Sequence, residues 1–112
     1  MSRSCPELPE TLPERFRATV HGIAFAERAQ QVAGLRPGDA LRLIADPPGA
    51  EVPAVWVHAP SGAPLGHLPP EIALWLWPYL AQGGHAHAAV LRAHGDEVPS
   101  WRRLVVDVTL QA

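Results

Sequence analysis

The sequence predicts a small, mainly β protein: a strongly bent sheet or barrel of about six strands, with one main α-helix across an opening and one short helix. Three observations carry this expectation. Several short segments alternate apolar and polar residues with the period of a strand. Proline and glycine clusters punctuate them as turns. Residues 71–81 (EIALWLWPYLA) stand apart as a helix that is apolar nearly all round. A chain of 112 residues has room for one core, so one domain is expected.

Residues 1–14 read as a loose arm, with prolines at positions 6, 9 and 13 between acidic residues, and the domain proper as residues 15–112. The lone Cys5 lies in the arm and has no partner for an internal disulfide. The N-terminal stretch lacks the apolar segment of a secretory signal, and no apolar run reaches bilayer length. A cytoplasmic protein without membrane association is therefore expected.

Residues 15–25 (RFRATVHGIAF) form the first strand, with Phe16, Ala18 and Val20 on one face and Arg15, Arg17, Thr19 and His21 on the other. Residues 27–33 are helix formers closed by Gly34, and Pro37-Gly38 makes a β-turn. Residues 40–45 give a second strand with Leu41 and Leu43 inward, followed by a stiff connection over residues 46–53. The stretch 54–69 (AVWVHAPSGAPLGHLP) is the centre of the chain. Val55 and Val57 fall on one side and Trp56 and His58 on the other, before a turn at Pro60-Ser61-Gly62. Gly66 permits close backbone approach or a bulge, and His67 arrives at a strand end just ahead of the helix that Pro69-Pro70-Glu71 opens.

In that helix Ile72, Leu76 and Leu80 share a stripe, while Leu74 and Trp77 point roughly the other way. Either the domain wraps the helix, or Leu74 and Trp77 mark a dimer or partner surface. Pro78 kinks or ends it, and Gly83-Gly84 stops it. Residues 85–93 (HAHAAVLRA) are a further strand, and residues 102–111 a last one with Leu104, Val106, Val108 and Leu110 buried.

A net charge of −2 argues against a protein that grips long duplex DNA through many phosphates, and leaves short or end-directed contacts open. His85 and His87 are the weak metal candidates: a workable pair on one strand face, without the third and fourth ligands a zinc site needs. They read as solvent-facing residues, and neither metal nor cofactor is expected. Asp39, Asp46, Glu51, Asp96 and Glu97 sit in turns, where solvated carboxylates are ordinary. With no nucleophile elbow, catalytic triad or phosphate loop, the chain reads as non-catalytic. A stacking surface suits it better: Phe25, Trp56 and Trp101 offer flat faces for bases, with Arg15, Arg17 or Arg42 for phosphates.

Three stretches, taken in order and spacing, resemble a HIRAN domain, a small module of Snf2-type DNA-repair ATPases that also occurs alone in bacteria. They are Val20-His21-Gly22-Ile23-Ala24-Phe25, then Pro37-Gly38-Asp39-Ala40-Leu41-Arg42-Leu43, and Ala54-Val55-Trp56-Val57 followed by Gly62 and Leu65-Gly66-His67-Leu68-Pro69. The resemblance implies an OB-like or SH3-like β-barrel that binds single-stranded DNA, including free 3′ ends. Phe25 then stands at a base-stacking aromatic, His67 at the Gly-His-Leu position, Trp101 near a late pocket aromatic, and Glu51 where an aspartate accepts the terminal hydroxyl. The family's Asn-Pro-x-Asp-x-Asn-Ala run appears here as residues 48–54, where Pro48, Ala50 and Pro53 stand among the departures, and Ala24 replaces an arginine of the DNA-end binder. Loss of these donors implies weak binding or altered specificity.

The leading expectation is a non-catalytic single-stranded DNA-binding module linked to DNA repair or processing. Phe25, Glu51, His67 and Trp101 surround its pocket, and Arg17 or Arg42 lies near the backbone path. The alternative is a protein-interaction or structural domain that keeps the barrel, with Leu74 and Trp77 in a homodimer or partner contact. A metal-dependent hydrolase is the third reading.

Overall fold

The computed structural model describes residues 12–23, 28–45, 54–95 and 97–111. The expected mainly β architecture holds: six antiparallel strands form one curled sheet, with one main helix packed against it. The strands are β1 (Arg15–Thr19), β2 (Ala40–Ala45), β3 (Val55–His58), β4 (Pro64–His67), β5 (His85–Ala93) and β6 (Leu104–Gln111), in the order β1-β6-β5-β2-β3-β4. The helices are α1 (Arg28–Ala33) and α2 (Pro70–Ala81), and a 3-10 turn covers Ser100–Arg102.

Side-chain alternation decides which face of this sheet is core. Ala18, Leu41, Val55, Val57, Leu65, Ala88, Val90, Leu104, Val106 and Val108 are buried, while their strand neighbours, Gly66 excepted, are half-buried or exposed. The inward face is covered by α2, which rests on β2, β3 and β5 and buries Ala73, Leu76, Trp77 and Pro78. Phe16 of β1 meets Trp75 edge to face at 5.3 Å, so β1 is tied to the same helix.

Local chemistry sets the limits of α2. Pro70 takes the first turn, where its missing N–H costs nothing, and Glu71 adds negative charge at the positive end of the helix dipole. Pro78 lies inside the helix without ending it. The carbonyl it deprives of a donor is that of Leu74, a residue 58% exposed, where water can serve instead. At the far end Gly83, at φ 94°, donates to the Leu80 carbonyl, and Gly84 donates to that of Tyr79, the paired bonds of a Schellman stop.

Two sequence boundaries move. The first strand was expected over residues 15–25, but β1 ends at Thr19, because beyond Val20 the chain changes partner. Val20 donates to Leu104 O of β6, whereas His21 pairs with His67 at the end of β4. That bridge joins the two edges of the sheet, so the curled sheet closes there. The last strand was expected over residues 102–111 and begins instead at Leu104. Pro99 leads Ser100–Arg102 into the 3-10 turn, with Arg102 N donating to Pro99 O.

Leu74 and Trp77 part company in the fold. Leu74 is exposed, but Trp77 is 9% exposed and belongs to the core. A joint surface of the two is thereby corrected: Trp77 points inward, and Leu74 alone faces solvent. No helix among the described residues is long and apolar enough to cross a membrane.

Candidate nucleic-acid interface

Register places the polar side chains on one outer face. Residues opposite one another across antiparallel strands share a face, and the pairs Arg42↔His58, Ile44↔Trp56 and Trp56↔His67 put all five side chains on the outside of β2-β3-β4. The His21↔His67 bridge carries that face over the closure toward β1, with Thr19 and Arg17 of that strand following His21 at steps of two.

At the closure the backbones of His21 and His67 exchange bonds of 2.8 and 2.9 Å. Gly66 makes this possible. A Cβ there would lie 2.2 Å from His21 O and 2.8 Å from Val20 Cγ1, so no other residue fits. The two imidazoles stack at 6.2 Å with planes 26° apart, and Trp56 meets His67 edge to face at 5.6 Å. The Arg28 guanidinium lies 5.2 Å from the Trp56 ring centre, and its Nη1 donates to Gly22 O at 2.9 Å. The result is a half-buried run Arg28, Trp56, His67, His21.

His67 is also held from the side of the helix: its Nδ1 lies 3.2 Å from Leu68 O, which can only accept, so Nδ1 is the donor of that contact. His21 Nε2 is 3.2 Å from the Thr19 hydroxyl, which leads the polar run onward along β1.

Beyond Thr19 lies a cleft of about 240 Å3 lined by Thr19, Arg92, His94, Val98, Arg102 and Val105. Across the sheet Thr19 and Arg92 both face Val105, so the three form one row over β1, β6 and β5. A β-bulge between Val90 and Arg92 makes this row: without it Leu91 would oppose Val105 and Arg92 would turn toward the core. Next to the cleft, Trp101 is 55% exposed, with the Arg102 guanidinium 5.7 Å from its ring centre.

Of the residues expected at the site, His67 is at the centre of the run and Trp101 is an exposed face beside the cleft. Arg17 and Arg42 are exposed on the same outer surface. Arg17 stands opposite Asp107, whose carboxylate is already taken by Arg15 through Nε at 2.9 and 3.0 Å. This contact holds Asp107 below the usual aspartate range, chiefly through the Arg15 hydrogen bond. Phe25 and Glu51, with Ala24, Pro48, Ala50 and Pro53, lie outside the described residues. His85 and His87 are exposed opposite Gln111 and Thr109, and no group of three or more potential metal ligands occurs among the described residues.

Arg28, His21, Arg92 and Arg102 were not anticipated. For Arg92 a signal existed: in HAHAAVLRA, strict alternation would bury it beside Ala88 and Val90, and a strand resolves that conflict with a bulge. Arg28 gave none, because its value comes from reaching Trp56, distant in sequence. Comparison with known proteins finds no family model, curated protein or solved structure that matches this chain.

Proposed function

We propose that this protein is a non-catalytic module of HIRAN type that binds single-stranded nucleic acid, DNA ends included, in repair or processing. One observation carries the reading: two tryptophans each hold an arginine near the ring, Arg28 by Trp56 on the outer sheet face and Arg102 by Trp101 in the 3-10 turn, and polar side chains run from Trp56 through His67 and His21 to Thr19, which shares a cleft with Arg102. Flat faces interleaved with cations suit bases that are splayed out and a backbone that passes beside them. The resemblance read from the sequence implies that Phe25 and Glu51 also take part in binding. The net charge of −2 fits a short footprint rather than a long duplex track.

Fluorescence anisotropy with labelled oligonucleotides bearing 3′-hydroxyl or 3′-phosphate ends, at low and moderate salt, tests it. The expected result is single-strand binding that weakens with salt and is reduced in His67→Ala and Phe25→Ala; selectivity for the hydroxyl end would add end capture. No binding at either salt overturns the reading. A second reading, a protein-interaction domain, draws on the exposed Leu74. Sedimentation of the wild type and Leu74→Ser tests it, with concentration-dependent self-association lost in the variant as its requirement.

A further inference from the structure

We propose that the cleft between β1, the end of β5 and the 3-10 turn is a phosphate subsite, in which Arg92 and Arg102 take one backbone phosphodiester while Trp101 carries a neighbouring base. The proposal rests on the single-strand reading above and adds to it Arg92 and Arg102, which the family resemblance does not supply.

Four observations meet there. The bulge at Val90/Arg92 breaks the regular ladder, and its effect is to bring a guanidinium out of core parity onto the surface. A second arginine, Arg102, lines the same cleft from a different element, the 3-10 turn. Among the described residues neither arginine is ion-paired to a carboxylate, in contrast to Arg15, which Asp107 neutralises. The remaining polar wall consists of the Thr19 hydroxyl and the His94 imidazole, both able to donate to an anion. Glu97 Oε1 lies 3.7 Å from His94 Nδ1 and is not among the residues that line the cleft.

A tetrahedral oxyanion with several acceptor oxygens matches donors converging from β1, β5 and the turn better than a planar carboxylate does, since fork-shaped guanidiniums can each engage a separate oxygen pair. Exposed Trp101, adjacent in sequence to Arg102, then supplies the base platform one step along the strand. Through Thr19 the cleft also joins the His21–His67 closure, so phosphate and base contacts form one path.

The experiment measures oligothymidylate affinity by anisotropy across a salt series, for the full chain and the Arg92→Gln/Arg102→Gln and Trp101→Ala variants, with thermal unfolding as the folding control. Removing one phosphate contact on a single strand flattens the slope of log K against log salt by about 0.7. The double arginine variant is expected to show that flattening. Trp101→Ala is expected to weaken binding with the slope unchanged, because stacking releases no counterions. A wild-type slope in the double variant overturns the subsite and leaves the single-strand reading standing; failure of the wild type itself to bind overturns that reading and the subsite with it.

Discussion

His21 and His67 exchange both backbone hydrogen bonds, at 2.8 and 2.9 Å, and stack their rings where the curled sheet closes on itself. The closure and the candidate interface are therefore the same piece of structure. A residue that loosens the first disturbs the second, and the closest contact in it belongs to Gly66.

Gly66→Ala is expected to be among the costliest small substitutions in the chain. The added methyl would stand 2.2 Å from His21 O, a backbone atom that cannot rotate away, so the bridge must open or β4 must shift. Overpacking of this kind costs about 1–3 kcal/mol before the two bridge hydrogen bonds are counted, each worth about 1 kcal/mol. Urea unfolding of the wild type and variant measures this. A loss under about 1 kcal/mol would mean that the edges are not held together at His21 and His67.

Trp77 and Trp101 make a contrasting pair. Trp77 is 9% exposed within the core, and Trp77→Ala is expected to destabilise by about 3–5 kcal/mol. Trp101 is 55% exposed, so its removal is expected to leave stability within about 0.5 kcal/mol. If Trp101 stacks on a base, the same change lowers single-strand affinity by about 5- to 150-fold, the equivalent of about 1–3 kcal/mol. Unfolding and anisotropy on the two variants would separate the roles, and equal stability losses in both would contradict the burial difference.

How far the sequence discloses this arrangement depends on the range of the forces involved. Period-two patterning is local, and it located β2 and β5 at their observed limits and sorted Val55 and Val57 from Trp56 and His58. Gly66 was legible as a place of close approach because only the lack of a Cβ explains a glycine between Leu65 and His67 in a strand. What lies across the closure was not legible. The change of partner at Val20–His21 depends on how far the sheet curls, and the contact of Arg28 with Trp56 depends on two segments meeting that no pattern within either one announces. Trp101 was placed in the pocket by resemblance, but its exposure follows from the 3-10 turn after Pro99, a local deviation that interrupts an otherwise strand-like pattern.

Arg28→Met is expected to separate charge from packing at the run's end. It keeps much of the aliphatic length and removes both the bond to Gly22 O and the cation over Trp56. A cation–π contact at a partly exposed site is worth about 0.5–1 kcal/mol, and a hydrogen bond from a charged donor about 1.5–3 kcal/mol. Chemical denaturation is expected to give a loss of about 2–4 kcal/mol, with tryptophan fluorescence changed as Trp56 gains water. An unchanged midpoint and spectrum would show that the guanidinium contributes nothing to holding this surface.

The Arg15–Asp107 pair gives a pH dependence whose sign can be worked out. Arg15 holds the folded-state carboxylate of Asp107 below the range it has in an unfolded chain, first through its hydrogen bond and then through charge, with Arg17 adding to the effect. A depressed carboxylate stabilises the fold above the unfolded pKa of about 4 and loses that contribution as pH falls through the lower folded value. Asp107→Asn is therefore expected to unfold at a lower temperature than the wild type near neutral pH, with the gap closing steadily below about pH 4 as the wild-type carboxylate protonates. Removing Asp107 also leaves Arg15 and Arg17 without their shared carboxylate, so single-strand affinity in the same variant is expected to rise at low salt. A gap in unfolding temperature that persists at pH 2 would assign the effect to packing around Asp107 and not to its charge.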